Sequence, residues 1–290
     1  MGKIIDCNAV SEIYMTRLSK KFSETEEPIT LATILTNEED INSRMYQGFI
    51  GKDCEALGIT HLPLSPRTDS ELEDKIDECN ENPGVKGILL FNPLGRGIKK
   101  SPYVHANRIS YKKDVEGFSN DRLGLLAQEY SENLIVSPTA KAIVEVLRHH
   151  SYKFGGTATI INRSNVVGKP LRMILEDLGM TVFAAYVETD QEVIEANIRA
   201  SNLIVTSVPD PQYRLPTKDV PKDSIVIGVN PTNIDEEILR NICDMITSKS
   251  NPIGRATRKI TLANLLMLVQ EPTQNEKLNL PISENNPNHR

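Results

Sequence analysis

Residues 157–178 read TATIINRSNVVGKPLRMILEDL. A β-branched run passes into a polar turn that ends in Gly168, and apolar residues at helical spacing follow. This is a strand feeding a helix through a turn whose backbone amides face outward, where the partial positive charge of the helix start favours an anionic group. The segment therefore predicts a nucleotide site. Its spacing is not G-x-G-x-x-G, and most strand-turn-helix units bind nothing, so the surrounding chain has to supply the rest of the argument.

Downstream, strands are predicted over 181–185, 203–208 and 224–229 with helical stretches between them, the rhythm of a doubly wound parallel sheet. Upstream, helices are predicted over 9–22, 42–57 and 69–80, the last capped by Thr68, with strands over 30–35 and 85–91. The fold class is α/β: two α/β domains, the second a Rossmann-like doubly wound parallel sheet, with a cleft between them. Residues 94–113 have little periodicity and read as a long functional loop. A helix over 139–150, broken by 153–156, makes the crossover, which divides the chain into domains 1–138 and 139–260. Leu262, Leu265, Leu266 and Val269 place a final helix over 261–272 that returns to pack on the first domain. Residues 273–290 read as a polar, proline-broken tail with poor order.

At 290 residues the chain is long enough for two cores, and its net charge of −6 lacks the concentrated basic surface that a nucleic-acid partner requires. No apolar run approaches the roughly 18 residues of a spanning helix. The start MGKIIDCNAV has no secretory signal, so a cytoplasmic enzyme away from membranes is expected. Cys7, Cys54, Cys79 and Cys243 are scattered, without C-x-x-C pairs or histidines at zinc spacing. They read as reduced, packed thiols, and no metal site is expected.

Four stretches carry a resemblance: INRSNVVGKP at 161–170, YKKDVEGF at 111–118, SRMY at 43–46 and VKGILLFNPL at 85–94. Together, and in order over nearly the whole chain, they resemble the methylenetetrahydrofolate dehydrogenase/cyclohydrolase family. The resemblance implies a folate-side catalytic domain, a dinucleotide domain, and a homodimer formed through the latter. In bifunctional members a helix carries Ser-x-x-Tyr and a lysine four residues on, so that tyrosine and lysine share one face over the pterin. Ser43 and Tyr46 match, but the lysine position is Ile50. Lys52 lies two residues beyond Ile50, about 200° around the helix axis, and replaces the lysine only if the helix is irregular near Gly48 and Gly51. The family's supporting glutamine aligns with Phe91, in a run ending at Pro93, and its pterin-holding aspartate with Glu116.

These changes resemble the dehydrogenase-only, NAD-dependent branch. Tyr46 would cover the pterin and Glu116 would accept its adjacent N–H donors, while Ile50 cannot exchange a proton. On the cofactor side, Val187 and Glu188 stand where NADP-dependent relatives have serine and arginine. Glu188 follows the turn glycine by about 20 residues, as a ribose-binding acid does, which favours NAD over NADP. Arg163 is the counter-signal, free to meet a 2′-phosphate or the pyrophosphate. Ser164, Val167 and Gly168 complete the turn, and Val208, Pro209, Asn230 and Thr261 are the remaining cofactor candidates. The family's P-G-G-V-G-P-M-T segment appears as GRATRKIT at 254–261, whose Arg255, Arg258 and Lys259 suit folate glutamates, cofactor phosphates or plain solvent.

The implied reaction is NAD-dependent oxidation of 5,10-methylenetetrahydrofolate to the methenyl form, with cyclohydrolase activity weak or absent. The alternatives are a bifunctional NADP-dependent dehydrogenase/cyclohydrolase, a catalytically silent fold relative, and an enzyme of another pterin carrier.

Overall fold

The computed structural model describes residues 1–270. The chain opens with β1 (Lys3–Ile4) and α1 (Cys7–Ser23), then builds a parallel sheet from β2 (Thr30–Ile34), β3 (Thr60–Leu64) and β4 (Val85–Leu90) in the order β3-β2-β4. Two helices connect these strands, α2 (Ile41–Ala56) and α3 (Asp69–Glu81). Asp40 caps α2 by accepting from the amides of Asn42 and Ser43, and Thr68 caps α3 as its position predicts. Strand β3 is absent from the sequence reading. Its THLPL carries Pro63, which argues against a central strand but is tolerated at the sheet edge that β3 occupies.

Residues 94–113 are more ordered than a loop. They contain α4 (Pro102–Ala106), with Ser101 as its cap, and a 3-10 turn at Tyr111–Lys113. Next come α5 (Asn120–Gln128) and the crossover helix α6 (Pro138–His149).

The second sheet is wholly parallel, built from β5 (Thr157–Ile161), β6 (Thr181–Ala185), β7 (Leu203–Thr206), β8 (Ile225–Gly228) and β9 (Met245–Ile246) with β1 at its edge. Its helices are α7 (Gly168–Asp177), α8 (Gln191–Arg199) and the short α9 (Glu236–Leu239). The order β1-β9-β8-β7-β5-β6 puts β6 on one side of β5 and β7 on the other, so the chain reverses direction across the sheet at β5. That reversal opens a crevice at the carboxyl ends of β5 and β7, where open α/β sheets bind ligands.

Two segments lie differently from the sequence reading. The first strand belongs to the second sheet, where Lys3 and Ile4 pair with Met245 and Ile246. The last helix, α10 (Gly254–Val269), starts seven residues before position 261, since a segment rich in Arg, Ala and Lys has nothing to break a helix once its glycines are gone. The expected tail at 273–290, and the last two residues of the expected helix, lie outside the described residues.

Helix α10 packs along α1 and α6, joining the two halves. One hydrophobic cluster runs through this junction, including Val10 and Tyr14 of α1, Ile50 of α2, Ile143 of α6, Val205 of β7 and Leu262 and Leu266 of α10. Each such side chain contributes about 1.5–3 kcal/mol on burial. All four cysteines are free and buried. Among the described residues, no helix is long and apolar enough to cross a membrane.

Candidate active site

Helix α2 presents Tyr46, Ile50 and Cys54 on one face, at successive four-residue steps, with Ile50 and Cys54 fully buried. The helix is continuous through Gly48 and Gly51, and Lys52 is exposed, so the irregularity that would carry Lys52 inward is not there. Gly51 instead admits the His61 ring, which a Cβ would approach to 2.8 Å. The Tyr46 ring meets Phe91 edge-on at 6.0 Å and 79°. Burial, and then the nearby Glu116 carboxyl, push the Tyr46 phenol above its ordinary range, while a hydrogen bond with Thr261 acts the other way. Thr261, expected on the cofactor side, therefore stands with Tyr46; its Oγ1 also donates to the Thr257 carbonyl at 3.1 Å. Ser43 serves its helix rather than a ligand, donating from Oγ to Asp40 at 2.5 Å.

Glu116 sits in a loop fixed from three directions. Asp114 accepts from the amides of Glu116, Phe118 and Ser119 at 3.0, 3.0 and 2.9 Å. Gly117 adopts φ +60 and lies so close to Val136 that a Cβ would come within 2.8 Å of its backbone. Asn264 of α10, fully buried, donates from Nδ2 to the carbonyls of Val115 at 2.8 Å and Val136 at 3.0 Å. Desolvation, reinforced by Asp114, raises the Glu116 carboxyl to about 8. Pro93 is exposed and follows a cis peptide bond from Asn92. Sequence reasoning missed Asn264, since an asparagine inside an apolar helix pattern gives no sign of which carbonyls it will meet.

At the other side, Asn162 ends β5 and organises the turn. Its Oδ1 accepts from the Ser164 amide and hydroxyl and from the Gly168 amide at 2.8, 2.7 and 2.9 Å. The Val167 amide donates to Ser164 Oγ at 3.0 Å. Several amides expected to face a phosphate are thus already paired within the turn. A Cβ at position 168 would fall 2.2 Å from the Asn162 carbonyl oxygen, so only glycine fits. Asn165 Oδ1 is buried without a hydrogen-bond partner among the described residues, an acceptor that a ribose hydroxyl of a nucleotide can satisfy.

Arg163 donates to Glu188 at 3.1 Å, and its guanidinium lies 5.6 Å from the Tyr186 ring centroid. Val187 is exposed beside them. Val167 and Val208 are buried in the apolar clusters rather than open to the crevice. Val208's backbone is held by Asn233 Oδ1, which accepts from its amide at 2.8 Å, and by Asn230 Nδ2, which donates to its carbonyl at 3.1 Å. Pro209 follows, exposed. Thus the ends of β5, β6, β7 and β8 bring Arg163, Glu188, Pro209 and Asn230 to one edge of the sheet.

The basic segment is the first two turns of α10. Asp53 of α2 accepts from Arg258 Nε at 3.0 Å and pairs with the buried Lys259 ammonium, and Arg258 lies over the Phe49 ring at 4.9 Å. Asp53 escaped the sequence reading because its partners are about 200 residues away in the chain.

Two family models match the chain: the tetrahydrofolate dehydrogenase/cyclohydrolase catalytic domain over residues 5–116 and its NAD(P)-binding domain over residues 137–273. The bifunctional protein FolD of Leuconostoc citreum is 26% identical over 282 residues, covering 93% of this chain and 99% of the relative. FolD of Oenococcus oeni is 30% identical over 240 residues, covering 81% and 82%. Among solved structures, a 5,10-methylenetetrahydrofolate dehydrogenase from the silkworm Bombyx mori superposes with a TM-score of 0.83 at 26% identity, covering 93% of this chain and 98% of that one.

Proposed function

The chain belongs to the tetrahydrofolate dehydrogenase/cyclohydrolase family, and from that premise we propose that it oxidises 5,10-methylenetetrahydrofolate to 5,10-methenyltetrahydrofolate. A bound nicotinamide dinucleotide supplies the acceptor for the hydride that leaves the bridging methylene carbon. The substrate's own nitrogens stabilise the cation that develops, which leaves the protein to position the reactants and exclude water. Tyr46 covers the pterin, and Glu116 accepts from its amino-pyrimidine edge. Arg163, Ser164, Glu188, Pro209 and Asn230 are the residues that would hold the dinucleotide along the sheet edge.

The observation that carries the finer reading is the full burial of Ile50 on the Tyr46 face of α2, with Lys52 turned to solvent. With no amine at that place, hydrolysis of the methenyl product lacks its proton-exchanging group, and the reading is a dehydrogenase with little cyclohydrolase activity. NAD is preferred on the same reasoning. Glu188 already neutralises Arg163, so a 2′-phosphate would meet a carboxylate, whereas a 2′-hydroxyl has one to donate to. A homodimer through the dinucleotide sheet belongs to this reading and is checked by sedimentation.

A second reading has specific support, because the matched bacterial relatives are named bifunctional. The relatives' names favour that alternative, and Ile50 favours the first. One assay separates them: purified protein with NAD or NADP and methylenetetrahydrofolate, followed by decay of added methenyltetrahydrofolate. Methenyl accumulation with NAD supports the dehydrogenase reading. Decay faster than in buffer, abolished by Lys52→Ala, establishes the bifunctional one.

A further inference from the structure

Among the described residues, three connections join the second sheet to the rest of the chain: β1 into α1, α6 into β5, and β9 into α10. One chain of hydrogen bonds ties all three. The Asp6 amide donates to His150 Nε2 at 2.8 Å, and the Asp6 carboxylate accepts from the Ala9 amide at 3.0 Å and from Asn251 Nδ2 at 3.1 Å. The Asn251 amide in turn donates to Ser248 Oγ at 3.2 Å. His150 is placed by the end of α6, where Ser151 adopts φ +57. There the amides of Ser151 and Tyr152 donate to the carbonyls of Arg148 at 2.8 Å and Leu147 at 2.9 Å, which closes the helix. At the other end, Asn251 directly precedes Pro252, which with Gly254 and Arg255 lines a cleft of about 400 Å³ shared with Tyr46 and Phe49 of α2. The His150–Asp6–Asn251 clasp thus reaches from the crossover helix to the cleft that holds Tyr46.

A backbone amide only donates, so the Asp6–His150 contact exists only while Nε2 carries a lone pair, in the neutral imidazole protonated at Nδ1. A proton on Nε2 sets two N–H groups against each other and offers the Asp6 carboxylate a charged donor in place of Asn251. Among the described residues, the titratable groups around the ring are His149 on its own helix, Asp6 ahead of α1 and Lys3 on β1. Burial, then His149, hold the imidazole below its ordinary 6.5, with Asp6 acting the other way and Lys3 adding to the depression. The Ala9 amide and then Asn251 hold the Asp6 carboxyl below its own ordinary range, so it stays ionised while His150 titrates. The stabilisation is therefore present above pH 6.5 and is lost as the pH falls through the lower folded value. We propose that His150 is a positioning residue: its neutral imidazole holds Asp6 and, through Asn251, the 251–255 segment against α2, and its protonation releases that segment and weakens substrate binding. This rests on the folate reading above and adds to it a clasp that opens in acid.

The test follows kcat and the KM for methylenetetrahydrofolate from pH 7.0 to 5.5. Beside it runs hydrogen exchange of the ligand-free protein, scored as protection relative to an unstructured chain at the same pH. The window lies below the Glu116 titration at about 8, so that carboxyl keeps its proton over most of it. The wild-type KM is expected to rise about fivefold across the window with kcat changing less than about twofold, the scale of one lost hydrogen bond. Over the same range, peptides covering 2–10 and 248–256 lose protection, and the α8 peptide does not. His150→Gln and His150→Phe both lose the acid rise, and the phenylalanine variant, which cannot accept, has the raised KM at every pH. His149→Gln keeps the rise. A flat wild-type KM, or a rise that persists in both His150 variants, overturns the clasp while leaving the oxidation reading intact. So does wild-type protection that is unchanged across the window, a result that needs no variant to fold. Acid loss of protection that His150→Gln removes, with no turnover at any pH, supports the clasp and overturns the folate reading.

Discussion

Glu116 shows the opposition between stability and function at a single side chain. Its folded carboxyl titrates at about 8 against an ordinary 4.5, because burial disfavours its charged form. Below pH 4.5 both folded and unfolded forms are protonated. Between 4.5 and 8 the unfolded chain ionises while the folded carboxyl keeps its proton, so stability is full at low pH and falls as pH rises toward 8. Glu116→Gln removes the titration, and its Tm should exceed that of wild type at pH 8 and match it near pH 4.5, as read by differential scanning fluorimetry. Assayed at pH 9, where the folded carboxyl is ionised, the same change should lower folate kcat/KM by roughly 10- to 150-fold, the equivalent of about 1.5–3 kcal/mol for hydrogen bonds to a charged group. A second residue-scale prediction concerns Glu188. Glu188→Ser frees Arg163 and should move the NAD/NADP ratio of kcat/KM toward NADP by at least about tenfold; an unchanged ratio would remove this pair from cofactor choice.

Helices α2 and α10 meet through Asp53, which holds Arg258 and Lys259. Asp53→Ala leaves Lys259 buried without its counter-charge, which should cost about 3–5 kcal/mol by urea denaturation. The double variant Asp53→Leu with Lys259→Met should recover most of this, since removing both charges avoids the penalty of burying one alone. Asn264→Leu is expected to cost about 1–3 kcal/mol by leaving the Val115 and Val136 carbonyls unpaired, and to raise folate KM by loosening the Glu116 loop. These contacts also mark the limit of sequence reading. The strand-turn-helix at 157–178, the Tyr46 and Ile50 spacing and the Thr68 cap were legible, because each depends on residues a few positions apart. The strand at 60–64, the order within 94–113 and the Asp53 contacts of α10 were not, because an edge position, a serine cap and partners far apart in the chain decide them. The candidate site was legible by residue type more than by neighbour: the Thr261 hydroxyl meets Tyr46, and the Val167 and Val208 side chains are buried in apolar clusters.

At the scale of the molecule, one apolar cluster joins α1, α2, α6 and α10 to strands of both sheets. Each sheet has a smaller cluster of its own on its other face, but the shared cluster is the larger and loses its packing if either half melts, so thermal unfolding should be a single transition, with far-ultraviolet dichroism and calorimetry giving the same midpoint. Two resolved transitions would show the sheets to be independent. The first strand adds a constraint of another kind. Lys3 and Ile4 find their partners only at Met245 and Ile246, so on the ribosome the earliest residues of the nascent chain must wait for nearly all the rest before they can dock. Closing so long a loop slows the final annealing of the sheet edge, and until then β9 is left open to strands from other chains. An affinity tag at the amino terminus would press on that late step, whereas the same tag at the carboxyl terminus would leave it alone.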